Sequence, residues 1–233
     1  MTDFRKIEYL TFDCYGTLID WESGITAALR PLLQHNELDL SDEDVLNLYA
    51  ELESSVESDE FIPYKGVPRE VVKKVGIKYG FFPDDKEINS LINSIGFWKP
   101  FDDTIDSLQA LGKKYRLVVV SNVDDDLFEI TQSKLRVEFD DVITAEQIGA
   151  YKTEHRVFET VLARLAVPKT NILHVAQSLY HDIAPANSMG IGTVRVNRRH
   201  GKSGSGATPE ASAIPDFEVP DLRSLVELLE ISK

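Results

Sequence analysis

The run Ile7-Glu8-Tyr9-Leu10-Thr11-Phe12-Asp13-Cys14-Tyr15-Gly16-Thr17-Leu18 passes from apolar, β-prone residues to an aspartate and then to a glycine that punctuates a turn. A buried strand ends in this way, with its last polar residue delivered to a tight loop. Downstream, residues 21–34 place Ile25, Ala28, Leu29, Leu32 and Leu33 at helical spacing. Ser41 followed by Asp42, Glu43 and Asp44 is a helix N-cap with an acidic first turn, and the helix it opens runs through Val45, Leu48, Tyr49 and Leu52. Helical patterns follow over residues 67–79 and 84–95, so residues 21–98 read as all-helical.

From Phe101 the rhythm changes to alternating strand and helix. Residues 103–113 are helical, and Leu117-Val118-Val119-Val120 is the short, continuous apolar run of a strand buried on both faces. A helix over 124–135, a strand at Asp141-Val142-Ile143 and a helix over 155–165 come next. Ile172-Leu173-His174-Val175-Ala176 and Gly192-Thr193-Val194-Arg195-Val196 are further strands, separated by a helix ending near Gly190. Repeated βα units at this spacing predict an α/β fold, a doubly wound parallel sheet with right-handed crossovers. Residues 200–215, rich in Gly, Ser and Pro, read as a loop, and 219–229 as a closing helix. The expected organisation is an α/β core domain from 1–20 and 99–233, interrupted by a helical cap domain at 21–98. That cap sits at the carboxyl end of a strand, where open α/β sheets bind their ligands.

Composition narrows the chemistry. A formal net charge of −14 repels nucleic acid phosphates and anionic lipid, so neither nucleic acid nor membrane is an expected partner. No apolar run is long enough to cross a bilayer. The single Cys14 rules out an internal disulfide and fits a reducing, cytoplasmic setting.

Four segments fall at successive carboxyl ends of the predicted strands: Asp13 to Leu18, Ser121-Asn122-Val123, Tyr151-Lys152, and Ser178-Leu179-Tyr180-His181-Asp182. Taken singly, Asp13 is a turn cap, Ser121-Asn122 a helix cap and Lys152 a solvated surface charge as readily as anything else. Their order and spacing together resemble the haloacid dehalogenase superfamily over nearly the entire chain. The resemblance implies a Rossmann-like core under a helical cap. It also implies catalytic roles for Asp13 as nucleophile, Ser121 as hydrogen-bond donor, Lys152 as the ammonium that keeps Asp13 ionised, and Asp182 as the group that orients Lys152 or the hydrolytic water.

Phosphatases of that superfamily carry a second Asp two residues after the nucleophile and a Gly-Asp pair closing the fourth strand. Here those places hold Tyr15 and Ala176-Gln177. The leaving-group acid and a Mg²⁺ ligand are both missing, so no metal and no other cofactor is expected, and a phosphatase with drifted motifs is the lesser alternative. Asp13-x-Tyr15-Gly16-Thr17 instead resembles the L-2-haloacid dehalogenases, which displace halide at C2 with inversion and hydrolyse the resulting ester, and which are often dimeric, so a homodimer is compatible with the resemblance. Those enzymes grip halide with an Arg on the second cap helix, where this chain has Tyr49-Ala50-Glu51-Leu52-Glu53.

Thr11 to Gly24, Ser178 to Asp182 with Pro185-Ala186-Asn187, and Arg198 to Lys202 with Gly206-Ala207-Thr208 resemble the bacterial L-azetidine-2-carboxylate hydrolases of the same branch. That resemblance implies a small carboxylic or imino acid as substrate and ring-opening hydrolysis as the reaction, with (S)-2-haloacid dehalogenation and a non-catalytic metabolite-binding module as alternatives. Glu51 or Glu53 could then face an ammonium where an Arg would repel it, or both could lie on a solvated helix face. Tyr15, Trp21, Asn122, Ser178, His181 and Glu53 are the candidate substrate-binding residues. Arg198, Arg199, His200 and Lys202, the one dense basic cluster, could clamp a carboxylate, contact another copy or lie in a solvated loop. Trp98 is expected to pack the hinge where the insert rejoins the core, and Cys14 to be a buried apolar residue.

Overall fold

The computed structural model describes residues 3–229; residues 1–2 and 230–233, at the ends of the expected core segments, lie outside them. Six strands form one parallel sheet in the order β3-β2-β1-β4-β5-β6. They are β1 (Tyr9–Phe12), β2 (Arg116–Ser121), β3 (Asp141–Thr144), β4 (Ile172–Ala176), β5 (Gly192–Val196) and β6 (Phe217–Val219). All of β1 is buried, as is every residue of β2 after Arg116, which is why these strands read as continuous apolar runs rather than alternating ones. Register is fixed by Phe12 pairing with Val119 on one side and Val175 on the other. The chain builds outward from β1 through β2 and β3, then returns to lay β4 on the opposite edge of β1. The crevice at the carboxyl ends of β1 and β4 is therefore the switch point where such sheets take ligands, and Asp13 follows β1 directly.

Between β1 and β2 come α1 (Trp21–His35), α2 (Asp42–Glu57), α3 (Val67–Tyr79), the short α4 (Asp85–Ile88) and α5 (Ser90–Ser94), and then α6 (Thr104–Leu111). The Ser41 signal becomes a capping box: Asp44 N donates to Ser41 Oγ at 3.1 Å, and Ser41 N donates to the Asp44 carboxylate at 3.3 Å. The continuous helix expected over 84–95 is broken at Asn89. Its side-chain amide donates to Asp85 O at 2.6 Å and its oxygen accepts from Arg69 Nε at 2.8 Å, so it closes α4 rather than continuing it.

The two passages between helical insert and sheet run side by side, with Asp20 N donating to Lys99 O at 2.8 Å and Phe101 N to Leu18 O at 3.1 Å. Trp98 packs there as expected. It stands edge-on to Tyr15, with ring centroids 5.8 Å apart, over a Gly24 whose lack of a Cβ makes room for the indole. Cys14 is fully buried.

The remaining helices are α7 (Asp125–Leu135), α8 (Ala145–Ile148), α9 (His155–Leu165), α10 (Ala184–Ser188) and α11 (Leu222–Leu228). One expectation is corrected here. Val219 belongs to β6, pairing with Val196 of β5, and the closing helix starts only at Leu222. A three-residue edge strand carries too little alternation to be read, and its pairing with β5 is a tertiary contact. No described helix is long and apolar enough to cross a membrane.

Candidate active site

The loop after β1 is wound tightly on Cys14 O, which accepts from Thr17, Leu18 and Ile19 N at 3.3, 2.8 and 3.0 Å. Gly16 makes this turn possible at φ +94°, and a Cβ on it would lie 2.7 Å from Trp21 Nε1. The turn brings Thr17 back beneath Asp13, so that Thr17 Oγ1 donates to Asp13 Oδ2 at 2.6 Å while accepting from Gln177 N at 2.8 Å. The other carboxylate oxygen, Oδ1, accepts from Lys152 Nζ at 2.5 Å.

Lys152 arrives from the loop after α8, with its backbone N–H donating to Asn122 Oδ1 at 2.9 Å. Its ammonium also meets Asp182 Oδ1 at 2.7 Å, so one buried cation bridges two buried carboxylates. Burial works against the Lys152 charge, but Asp13 and Asp182 outweigh it and hold the ammonium above its ordinary pKa. Burial likewise pushes Asp182 up, yet Lys152 and the His174 hydrogen bond bring it down to about 2. For Asp13 burial dominates over the pull of Lys152, and its carboxyl stays above the usual carboxylate range. Unpaired, any of these charges would cost several kcal/mol to bury, about 3–5 kcal/mol when a partner is deleted.

The opposite wall comes from α2. Tyr49, Glu53 and Glu57 recur at intervals of one helical turn on one face. Glu53 Oε1 accepts from Tyr49 OH at 2.5 Å and Tyr64 OH at 3.2 Å. Burial lifts Glu53 to about 7 against those two hydrogen bonds. Glu57 is also raised, by burial and then by Glu53, and receives only long bonds of 3.4 Å from Asn122 Nδ2. Its carboxylate lies 3.6 Å from His181 Nε2. Burial depresses His181 to about 4, so the ring is neutral near pH 7.

These residues enclose a small cavity, with about 380 Å³ of non-atom space once the open solvent at its mouth is counted. Asp13, Ser121, Lys152 and Asp182 all line it, as do Tyr15, Trp21, Asn122, Ser178, His181 and Glu53. The sequence-selected residues thus converge. One of their expected contacts does not form as read. Ser121 Oγ is buried without a hydrogen-bond partner among the described residues, and the hydroxyl on Asp13 is that of Thr17. Tyr15 shares its hydroxyl with Thr131 at 2.8 Å, leaving its ring for the cavity. Glu51 points away and pairs with Lys78 at 2.7 Å.

The basic cluster does not reach the cavity wall. Arg198 donates to Thr17 O at 2.9 and 3.0 Å and to Asp103 at 2.8 Å, bracing the Asp13 loop from behind. Arg199 pairs with Glu22 at 2.7 Å and Glu43 at 2.5 Å, tying the 197–208 segment to α1 and α2. Both side chains are buried and spent on these contacts, so neither clamps a carboxylate in the cavity, whereas His200 and Lys202 are exposed in the loop. Glu57, Tyr64 and Thr208 line the cavity and were not singled out as site residues. For Glu57 the spacing of four from Glu53 was a readable signal, and Thr208 lay in a stretch that carried the resemblance; for Tyr64 there was none. Among the described residues no group of three or more His, Cys, Asp and Glu side chains is arranged to hold a metal ion.

A (S)-2-haloacid dehalogenase from Pseudomonas putida is 24% identical to this chain, covering 95% of it and 96% of the relative. A glyceraldehyde 3-phosphate phosphatase from Methanopyrus kandleri is 26% identical, covering 88% of both. Among solved structures, the L-2-haloacid dehalogenase from Xanthobacter autotrophicus with chloropropionic acid covalently bound has a TM-score of 0.78 at 20% identity, over 96% of this chain and 98% of that one. The family described as haloacid dehalogenase-like hydrolase matches residues 10–196, from the first sheet strand to the fifth. With that match spanning the sheet and every segment that lines the Asp13 side of the cavity, the chain belongs to the haloacid dehalogenase-like hydrolases.

Proposed function

We propose that this hydrolase opens L-azetidine-2-carboxylate through an ester on Asp13. In the first step an Asp13 oxygen attacks C2 from the side opposite nitrogen. The C2–N bond breaks, its electron pair passes to the ring ammonium nitrogen, and the four-membered ring opens to an amine with inversion at C2. In the second step water attacks the Asp13 carboxyl carbon, Asp182 takes a water proton, and collapse releases the hydroxyl of a 4-amino-2-hydroxy acid. Lys152 keeps Asp13 charged and aimed.

The observation that carries this reading is a carboxylate held at both oxygens, by Lys152 at 2.5 Å and Thr17 at 2.6 Å, in a cavity whose cap wall is the Glu53 carboxyl. Glu53 suits an ammonium substituent, whereas a departing halide would meet its negative charge. Ser121 Oγ and His181 Nε2, both buried without a hydrogen-bond partner among the described residues, are donors available to the substrate carboxylate. The Tyr15 hydroxyl is committed to Thr131 and gives a phosphate ester no leaving-group acid. A second reading, (S)-2-haloacid dehalogenation, is favoured by the activity of the relatives that match nearly the full chain.

Ring opening of L-azetidine-2-carboxylate and chloride release from L-2-chloropropionate separate the two. Single turnover in ¹⁸O-water, read by mass spectrometry, is expected to label Asp13. Turnover retained by both D13A and D13N would remove Asp13 as the nucleophile.

A further inference from the structure

His174 is a polar residue in a strand otherwise made of Ile, Leu, Val and Ala, and it is fully buried. Its Nδ1 lies 2.9 Å from Thr11 Oγ1 of β1, its Nε2 lies 3.0 Å from Asp182 Oδ1, and the Phe158 ring packs edge-on at 5.1 Å. An ionised Asp182 only accepts, so His174 Nε2 donates to it, while Nδ1 is paired with the Thr11 hydroxyl. Asp182 Oδ1 is thus gripped by two donors, Lys152 at 2.7 Å and His174, while Oδ2 has no partner among the described residues.

We propose that His174 is a positioning residue for ester hydrolysis: by pinning Asp182 Oδ1 it reserves Oδ2 for the water that attacks the Asp13 ester. The inference rests on the ester reading above. Its physical reason lies in the change of charge along the reaction. In the free enzyme Lys152 is shared between two carboxylates. Once Asp13 is esterified its charge is gone, and the ammonium is left with Asp182 alone. An unpinned carboxylate would then turn both oxygens to the ammonium and lose its hold on the water. His174 prevents that rotation. In the hydrolytic step the water oxygen bonds to the Asp13 carboxyl carbon and one water proton goes to Asp182 Oδ2. The acyl C–O bond then breaks, the proton passes to the departing alkoxide, and the carboxylic acid left on Asp13 releases the other.

The test compares H174F, which keeps a ring against Phe158, with H174Q, which keeps an N–H donor, using L-azetidine-2-carboxylate and L-2-chloropropionate. Loss of a hydrogen bond to a charged group is expected to lower kcat by about 10- to 100-fold in H174F. Because only the second step slows, KM falls in proportion, kcat/KM stays within about threefold, and an ester adduct on Asp13 accumulates in intact-mass spectra. H174Q is expected to restore part of kcat. Should H174F not fold, Thr11→Val, which removes only the hydroxyl on Nδ1, reads the same pattern at smaller amplitude. A fall in kcat/KM matching that in kcat, with no adduct, would show a merely structural histidine and overturn the proposal. So would hydrolysis of a labelled Asp13 ester at the wild-type rate in H174F. If the wild-type protein takes no ¹⁸O into Asp13 with either substrate, the ester reading itself fails, and this inference with it.

Discussion

Lys152→Met removes one charge while roughly keeping the volume of the side chain, and the structure sets what that should cost. The ammonium lies 2.5 Å from Asp13 and 2.7 Å from Asp182, all three side chains being buried. In the wild-type protein Asp182 is held at about 2 against an ordinary 3.8, a gap worth about 2–3 kcal/mol. Its folded value lies below its unfolded one, so this stability is present above about pH 4 and is lost as the pH falls toward 2. In K152M the same two carboxyls are buried without their cation, and deleting one partner of a buried pair costs about 3–5 kcal/mol. Both acids then have folded pKa values above their unfolded ones. The folded variant binds more protons than the unfolded chain, so its penalty is full at neutral pH and shrinks as the pH falls toward 4. Urea unfolding followed by far-UV circular dichroism at pH 7.5 and 4.5 measures both quantities. The expected deficit is about 3–5 kcal/mol at pH 7.5 and clearly smaller at pH 4.5. A deficit under about 1 kcal/mol at pH 7.5, or one that grows on acidification, would refute the reasoning.

Thr17→Val is nearly isosteric but strips Asp13 of its 2.6 Å donor and leaves Gln177 N without its acceptor; stability should fall by about 2–3 kcal/mol and kcat by about tenfold or more, read by thermal melts and steady-state kinetics. Glu53, at about 7, must be ionised to hold an ammonium substituent. Wild-type kcat/KM for L-azetidine-2-carboxylate should therefore rise with pH through about 7, and E53Q should lower it and flatten that limb; an unchanged profile would exclude Glu53 from cation binding. Gly16→Ala places a Cβ at φ +94° and 2.7 Å from Trp21 Nε1, and should cost about 1–3 kcal/mol, seen as a lower Tm.

Much of the fold was legible because hydrophobic periodicity is local. The helices at Val67–Tyr79 and His155–Leu165 and the strands at Ile172–Ala176 and Gly192–Val196 have the ends their residue patterns predict. What failed was set by contacts outside the segment: β6 exists because β5 offers an edge, and the helix over 84–95 stops because Asn89 meets Arg69. The four motif segments were legible for a related reason. In a parallel sheet the carboxyl ends of strands gather on one side, so polar residues at those ends must meet.

Sequence by itself determined the chemical inventory: an aspartate following the first strand, a lysine and an aspartate at later strand ends, and acidic residues where the L-2-haloacid dehalogenases carry a halide-gripping arginine. Only the tertiary structure decided which of them touch. The resemblance assigned the hydroxyl donor beside Asp13 to Ser121, but the turn at Gly16 gives that hydrogen bond to Thr17. Arg198 and Arg199 carry the charge of surface residues, yet Thr17 O, Asp103, Glu22 and Glu43 take them into the interior. His174 reads as one polar residue in an apolar strand until Thr11 and Asp182 close on its two nitrogens. Periodicity is written in neighbours along the chain, whereas pairing across 139 residues, as between Asp13 and Lys152, depends on how strands and helices stack. That stacking is fixed by the whole core at once.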